Sequence, residues 1–314
     1  MLLQGVDIMR FFDLHCDTLY RAFTNKQTLF EPDYQLSLDR GQNFTKWTQC
    51  MAVWLPDDLN ADDSFELFQN ASSKLNADLN GTNIKIIKDK TDLLCNNISV
   101  ILTVENGSLI GNDLSRIKYM SDMGVKILTL TWNGTNSIGD GAGVDNPKGI
   151  SPFGINALNE LEQNNIIIDV SHASEPLFYD VARYSAKPFI ATHSNSKSCT
   201  NHKRNLTDDQ FNIIKSNGGV VGINFCNMFL NQNPVNACID DVIRHTEYFL
   251  SLGGEDILAI GSDFDGADMP SDIRDISGVY KIYNKFLRLN YSQSLVDKIF
   301  FLNAQKFFVK YFDI

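Results

Sequence analysis

Six residues able to hold a metal ion stand at the ends of short, mostly apolar runs in this chain of 314 residues. His15 and Asp17 follow Phe11 and Phe12, Glu105 follows 100–104, His172 follows 166–170, His193 follows 189–192, and Asp263 follows 258–260. A parallel barrel builds its active site in this way, from side chains at the C-terminal ends of its strands. Three imidazoles and three carboxylates converging there can hold two divalent ions. The pattern therefore reads as a binuclear metal hydrolase.

Each member has its own logic. His15-Cys16-Asp17 places two ligands at i and i+2, which on extended backbone project to one side and can share an ion. Glu105 ends five apolar residues, a costly place for a carboxylate unless cations offset its desolvation, so it reads as a bridge between two ions. The alternative is that it caps the turn Asn106-Gly107. His172 and His193 suit zinc or a similar borderline ion as neutral imidazoles. The remaining two histidines, His202 in a polar loop and His245 in a helical pattern, read as structural or solvated. The run Gly261-Ser-Asp-Phe-Asp-Gly266 superficially suggests a calcium loop, yet Gly does not fall sixth from Asp263 and no Glu stands twelfth. Asp263 then remains as a metal ligand able to move a proton, with Asp265 ordering the turn.

Positioning these groups requires strands at regular intervals. Hydrophobic patterning gives strand candidates at 10–14, 50–55, 99–104, 126–131, 166–170, 189–192, 220–225 and 257–261. Helical patterns occupy 64–79, 113–123, 154–164, 175–185, 208–216 and 238–252, with Gly124, Gly218 and Gly253 where helices should stop. Two further helices, 278–289 and 292–312, follow. Eight strands alternating with helices imply an α/β fold, a (β/α)8 TIM barrel with a dinuclear metal site at its C-terminal mouth, over a single domain, 1–314. An open doubly wound sheet is the second choice, disfavoured in its nucleotide-binding form because no G-x-G-x-x-G follows the first strand. The stretch 133–150, with five glycines, follows the fourth strand and should lie beside the mouth as a lid or substrate wall.

A net charge of -11 argues against nucleic acid or an anionic membrane surface as partner, and 43% hydrophobic residues supply a sizeable core. No run of 18 apolar residues exists, and Met1 to Arg10 lacks the pattern of a secretory leader, so the expectation is a cytoplasmic protein without membrane insertion. The six cysteines lack C-x-x-C spacing and read as free thiols, and N-x-[ST] triplets such as the one at Asn80 then reflect composition alone. A homodimer stays open.

The motifs His15-x-Asp17, Glu105-Asn-Gly107, Leu128-Thr-Leu-Thr131, Asp169-Val-Ser-His172, Thr192-His-Ser-Asn195, Arg204-Asn205 and Gly261-Ser-Asp-Phe-Asp-Gly266, in this order, resemble the membrane (renal) dipeptidase family of the amidohydrolase superfamily. The resemblance implies two zinc ions, one on His15, Asp17 and Asp263, the other on His172 and His193, with Glu105 bridging. It implies that a hydroxide between the metals attacks the peptide carbon of a dipeptide and that Asp263 moves the proton. It also implies that Arg204 grips the free α-carboxylate, which leaves room for a D-configured C-terminal residue. Without the resemblance, Arg204 would read as a surface charge. Where the family's best-known members carry a His after Leu-Thr-Leu-Thr131, this chain has Trp132, whose indole N–H can donate but never accept. Trp132 is expected as a pocket wall, with Asn133 as an alternative substrate-binding group. Two other readings stand beside the zinc dipeptidase: hydrolysis of another amide, lactam or lactone, and a metal- or ligand-binding barrel without turnover.

Overall fold

Ile166, Ile167 and Ile168 illustrate how the strands sort their side chains. Ile167 packs in a cluster with Phe12, Cys50, Ile101, Ile127, Ile190 and Ala259, one set from successive strands, while Ile166 and Ile168 join the larger core between strands and helices. Neighbouring residues of a strand face opposite sides, so a strand buried on both faces must be apolar throughout. The computed structural model describes residues 9–95 and 98–313. The stretch 1–8, where no secretory leader is expected, and the Cys95 side chain lie outside this description. Cys16, Cys50, Cys199, Cys226 and Cys238 are free thiols.

The strands are β1 (Arg10–Asp13), β2 (Lys46–Trp54), β3 (Lys85–Ile86), β4 (Ile98–Glu105), β5 (Ile127–Thr129), β6 (Ile167–Asp169), β7 (Val221–Ile223) and β8 (Leu258–Ile260). All pairings are parallel, in the order β6-β5-β4-β2-β1-β8-β7, with β3 beside β4. The 189–192 segment lies between the two ends of this order, through single bridges Asp169↔Ile190 and Ala191↔Val221. The curled sheet thus follows the course of a TIM barrel. Glycine makes the last seam feasible: a Cβ on Gly222 or Gly261 would sit 1.9 or 1.8 Å from the Thr192 carbonyl oxygen.

The helices fall close to the expected spans, among them Ala61–Leu79, Pro152–Gln163, Glu175–Tyr184 and Ile239–Ser251. Helix Asp208–Asn217 opens on a reciprocal Thr207/Gln210 capping box and stops at Gly218, whose φ of 83° is left-handed. Sequence patterning misses β3 and the helices Thr18–Thr24 and Lys90–Cys95, all too short to show a period. The expected helix at 292–312 is a continuous run, Gln293–Asp297, Lys298–Leu302 and Asn303–Tyr311, with a π turn in the middle. It does more than end the chain. Phe301, Phe307, Phe308 and Tyr311 join the interior cluster, and the Phe308 ring lies 5.2 Å from that of Phe12.

Residues 133–150 are tied down from several sides. Asp140 accepts from Thr135 Oγ1 (2.6 Å) and from Lys148 N (2.7 Å), while Ala142 N donates to His172 O and Gly143 N to Asn133 O, both at 2.8 Å. Of the two expected roles, this bonding argues against a lid.

His245 is buried on helix Ile239–Ser251, accepting from Ser196 N at Nδ1 (3.1 Å) with Nε2 facing Leu230 O (3.0 Å). Such partners require the neutral ring with its proton on Nε2. Burial, together with the charge of Arg244, pulls its pKa from 6.5 to about 4. The unfolded chain takes up this proton below pH 6.5 and the folded one only near pH 4, so the contribution is complete above 6.5 and is lost as pH falls towards 4. Its size is on the order of 3 kcal/mol at most. Denaturation midpoints for the protein and His245→Asn should therefore differ at pH 7.5 and converge by pH 4.5; a constant gap would show that His245 does not titrate in this window.

Candidate metal centre and substrate cavity

The six ligand-type side chains meet beyond the C-terminal ends of the strands. His15 Nε2 lies 3.4 Å from Asp17 Oδ2, 3.6 Å from Glu105 Oε2 and 3.9 Å from Asp263 Oδ1. Glu105 turns its other oxygen to the remaining imidazoles, with Oε1 at 2.9 Å from His172 Nε2 and 3.7 Å from His193 Nε2. All six are buried. Asp263 holds φ at 65° and Asn106, next to Glu105, at 84°, left-handed values that cost a non-glycine residue energy and cluster at functional sites.

Hydrogen bonds dictate which ring nitrogens face inward. Thr192 Oγ1 donates to Asp169 Oδ2 (2.6 Å), so it must accept from His193 Nδ1–H (2.8 Å). His172 Nδ1 meets Asn133 Oδ1 at 3.2 Å and is likewise a donor. Both Nε2 atoms then carry lone pairs, yet they face each other at 3.1 Å. Two lone pairs at this distance repel unless a cation lies between them. Burial, reinforced by the charges of His15 and Arg204, pushes both imidazoles well below their ordinary pKa and keeps them neutral.

The carboxylates make the same demand. Burial, with the charge of Asp17, raises Glu105 well above the usual range, and burial also raises Asp263. Burial alone would lower His15, but Glu105, Asp17 and Asp263 outweigh it and carry the ring to about 10. His15 Nε2 and Asp17 Oδ1 have no hydrogen-bond partner among the described residues. Ligand atoms of His15, Glu105 and His193 lie within 4.8 Å of one another, as do those of His15, Asp17 and Asp263. Around a zinc ion with ligands at about 2.0–2.2 Å, tetrahedral neighbours stand roughly 3.4 Å apart. Donor chemistry and spacing both fit divalent cations.

Above this cluster opens a cavity of about 830 Å³, lined by Asp17, Glu105, His172 and Asp263, with Trp54 and Trp132 among its walls. Trp132 packs edge-on against Trp54 (centroids 4.9 Å) and lies 6.3 Å from the His172 ring. Asn133 lines the cavity too, but its amide oxygen is engaged with His172. Arg204 is no surface charge. It is 5% exposed, stacks on Phe229 at 5.3 Å, donates from Nη2 to His193 O (3.4 Å), and leaves Nε and Nη1 without partners among the described residues. Asp265 accepts from Thr18 Oγ1 and from the backbone N–H groups of Gln35 and Leu36, tying its turn to two other segments.

Some contributors escape sequence reasoning. Asn224 donates to Asp263 Oδ2 (2.9 Å) and exchanges hydrogen bonds with Asn195, holding that carboxylate from behind. Asp13 and Asp169 are fully buried beside the ligands. The available signal was a carboxylate in an apolar strand, which demands partners.

A family model described as membrane dipeptidase, peptidase family M19, matches residues 6–311. The chain belongs to this family. An uncharacterized protein from the pqqA 5′ region of Klebsiella pneumoniae is 34% identical over 57% of the chain and 70% of its own length. The dipeptidase tcpJ of Claviceps purpurea is 32% identical over 62% of the chain but 47% of itself, so the match spans about half of that fungal relative. The crystal structure of dipeptidase AC, an M19 metallopeptidase, superposes with a TM-score of 0.89 at 25% identity, covering 98% of this chain and all of the other. The membrane dipeptidase family is one of peptide-bond hydrolases.

Proposed function

We propose that this chain is a zinc-dependent dipeptidase that holds its substrate by the free C-terminal carboxylate. The observation that carries the reading is Arg204: a buried guanidinium with two nitrogens unpartnered among the described residues, and a third donating to the backbone carbonyl of the ligand-type His193. A substrate carboxylate is the group whose geometry matches that fork. His15, Asp17 and Asp263 would hold one ion, His172 and His193 the other, and Glu105, with one oxygen towards each group, would bridge them. When bound, the ions lower the pKa of water and polarise the scissile carbonyl. Asp263, steadied by Asn224, takes the proton of the attacking water and returns it to the leaving amine. Because Arg204 reads a carboxylate rather than a side chain, C-terminal residues of either configuration can be accepted. Trp132, braced by Trp54, forms a wall of the cavity.

Zinc-reconstituted protein should carry about two ions per chain, and Glu105→Gln should weaken both. Elemental analysis with at most trace metal, or loss of a single ion in the variant, would contradict the bridged pair. Dipeptides should be cleaved and their C-terminal amides spared. Arg204→Ala should act mainly on KM, at a cost of about 2–5 kcal/mol in kcat/KM for a lost buried charge pair. Equal turnover of free and amidated dipeptides would assign Arg204 another task and favour a different amide substrate. Trp132→Phe, which keeps a wall but removes the N–H donor, should change kcat by less than about tenfold, or 1.4 kcal/mol. A hundredfold loss with metal content intact would instead make the indole N–H a transition-state donor.

A further inference from the structure

Asp13 and Asp169 are fully buried, and neither is among the six ligand-type residues or the residues lining the cavity. Each stands at a seam where the strand ladder is short and a few backbone hydrogen bonds, such as Leu14 N to Ile260 O and Gly222 N to Ala191 O, run beside it. β1 meets β8 through a single register pair, Asp13↔Ile260, and 189–192 joins its neighbours through one bridge on each side. At the first seam, Asp13 Oδ1 accepts from Ser262 N (2.8 Å) and His15 N (3.4 Å), and Oδ2 from Ser262 Oγ (2.6 Å) and Gln49 Nε2 (2.9 Å). The carboxylate thereby ties the backbone of His15 to the residue preceding Asp263. At the second, Asp169 Oδ1 accepts from Ser171 N (3.0 Å), Ser171 Oγ (2.6 Å) and Thr192 N (2.9 Å), and Oδ2 from Thr129 Oγ1 (2.7 Å) and Thr192 Oγ1 (2.6 Å). These bonds flank His172 and His193.

We propose that Asp13 and Asp169 are positioning residues for separate halves of the metal centre, Asp13 for the ion on His15 and Asp263, Asp169 for the ion on His172 and His193. The inference rests on the dinuclear reading above. Asp169 has an added role, because an acceptor-only carboxylate forces the Thr192 hydroxyl to donate to it, and so to accept from His193 Nδ1–H. An amide in its place can donate to Thr192, whose hydroxyl then turns its proton to Nδ1. His193 would be left with its proton on Nε2, the atom that must bind metal. Groups behind a metal-binding histidine typically change affinity 10–100-fold in this way.

Zinc titration of metal-depleted protein against a chromophoric chelator reads the two binding steps apart from activity. Asp13→Asn should weaken one step tenfold or more and leave the other, and Asp169→Asn or Thr192→Val should do the same. Thr192→Ser, which keeps the hydroxyl, should bind as the wild type does. The decisive variant combines Asp13→Asn with Thr192→Val: both steps must weaken. If only one does, or if each single variant weakens both steps equally, the assignment of separate halves is overturned. Unchanged binding in all variants overturns it as well. Circular dichroism checks that each variant folds, and Ser262→Ala replaces Asp13→Asn if that one does not. Dipeptide hydrolysis by the zinc-loaded wild type is scored alongside. Two ions without hydrolysis would sink the dipeptidase reading while the variants still decide the positioning; fewer than two ions would sink both.

Discussion

Three carboxylates and three imidazoles share one buried pocket, and this crowding of charge governs the arrangement around it. Glu105 and Asp263 are buried away from water, and on protein charges alone burial drives both towards protonation. The two Nε2 lone pairs of His172 and His193 add their repulsion from the other side. A site this costly persists only if the surrounding scaffold over-determines it.

The scaffold does so by linking loops rather than by lengthening strands. Asn106, held at positive φ, donates to Leu55 O and Asp57 Oδ1 and accepts from Asn136, while Asp57 Oδ2 accepts from Gly134 N. The loops after β2, β4 and β5 are thereby joined into one rim. Across the mouth, the Asn195–Asn224 pair does the same for the loops after 189–192 and β7. Four of the strands contribute only three residues each, so these polar ties carry the alignment that short ladders cannot.

What could be read from the sequence followed from periodicity and from the oddity of charge beside apolar runs. Glu105 after 100–104 and the 166–170 run before His172 announced both strand and strand end, because a strand buried on both faces is apolar until it emerges at the mouth. The segment 189–192 was legible as a strand although it pairs through single bridges, since its apolar pattern reflects burial, not ladder length. Tertiary partnerships carried no such mark. Arg204 looks solvent-facing in a polar stretch of sequence, and only the fold lays it against Phe229 and His193. The contact of Asn133 with His172 was hidden for the same reason, as was the plug of aromatic residues from the helical run after 292.

That plug has a consequence for how the molecule comes into being. The strands bearing the ligands are all synthesised before Phe301, Phe307, Phe308 and Tyr311, which complete the cluster inside the sheet. Until those rings arrive, the apolar faces of Phe12, Ile101 and Ile167 have an unfilled neighbour and remain sticky to other chains. The strands that carry the candidate metal centre are thus hostage, during biogenesis, to a segment made after them.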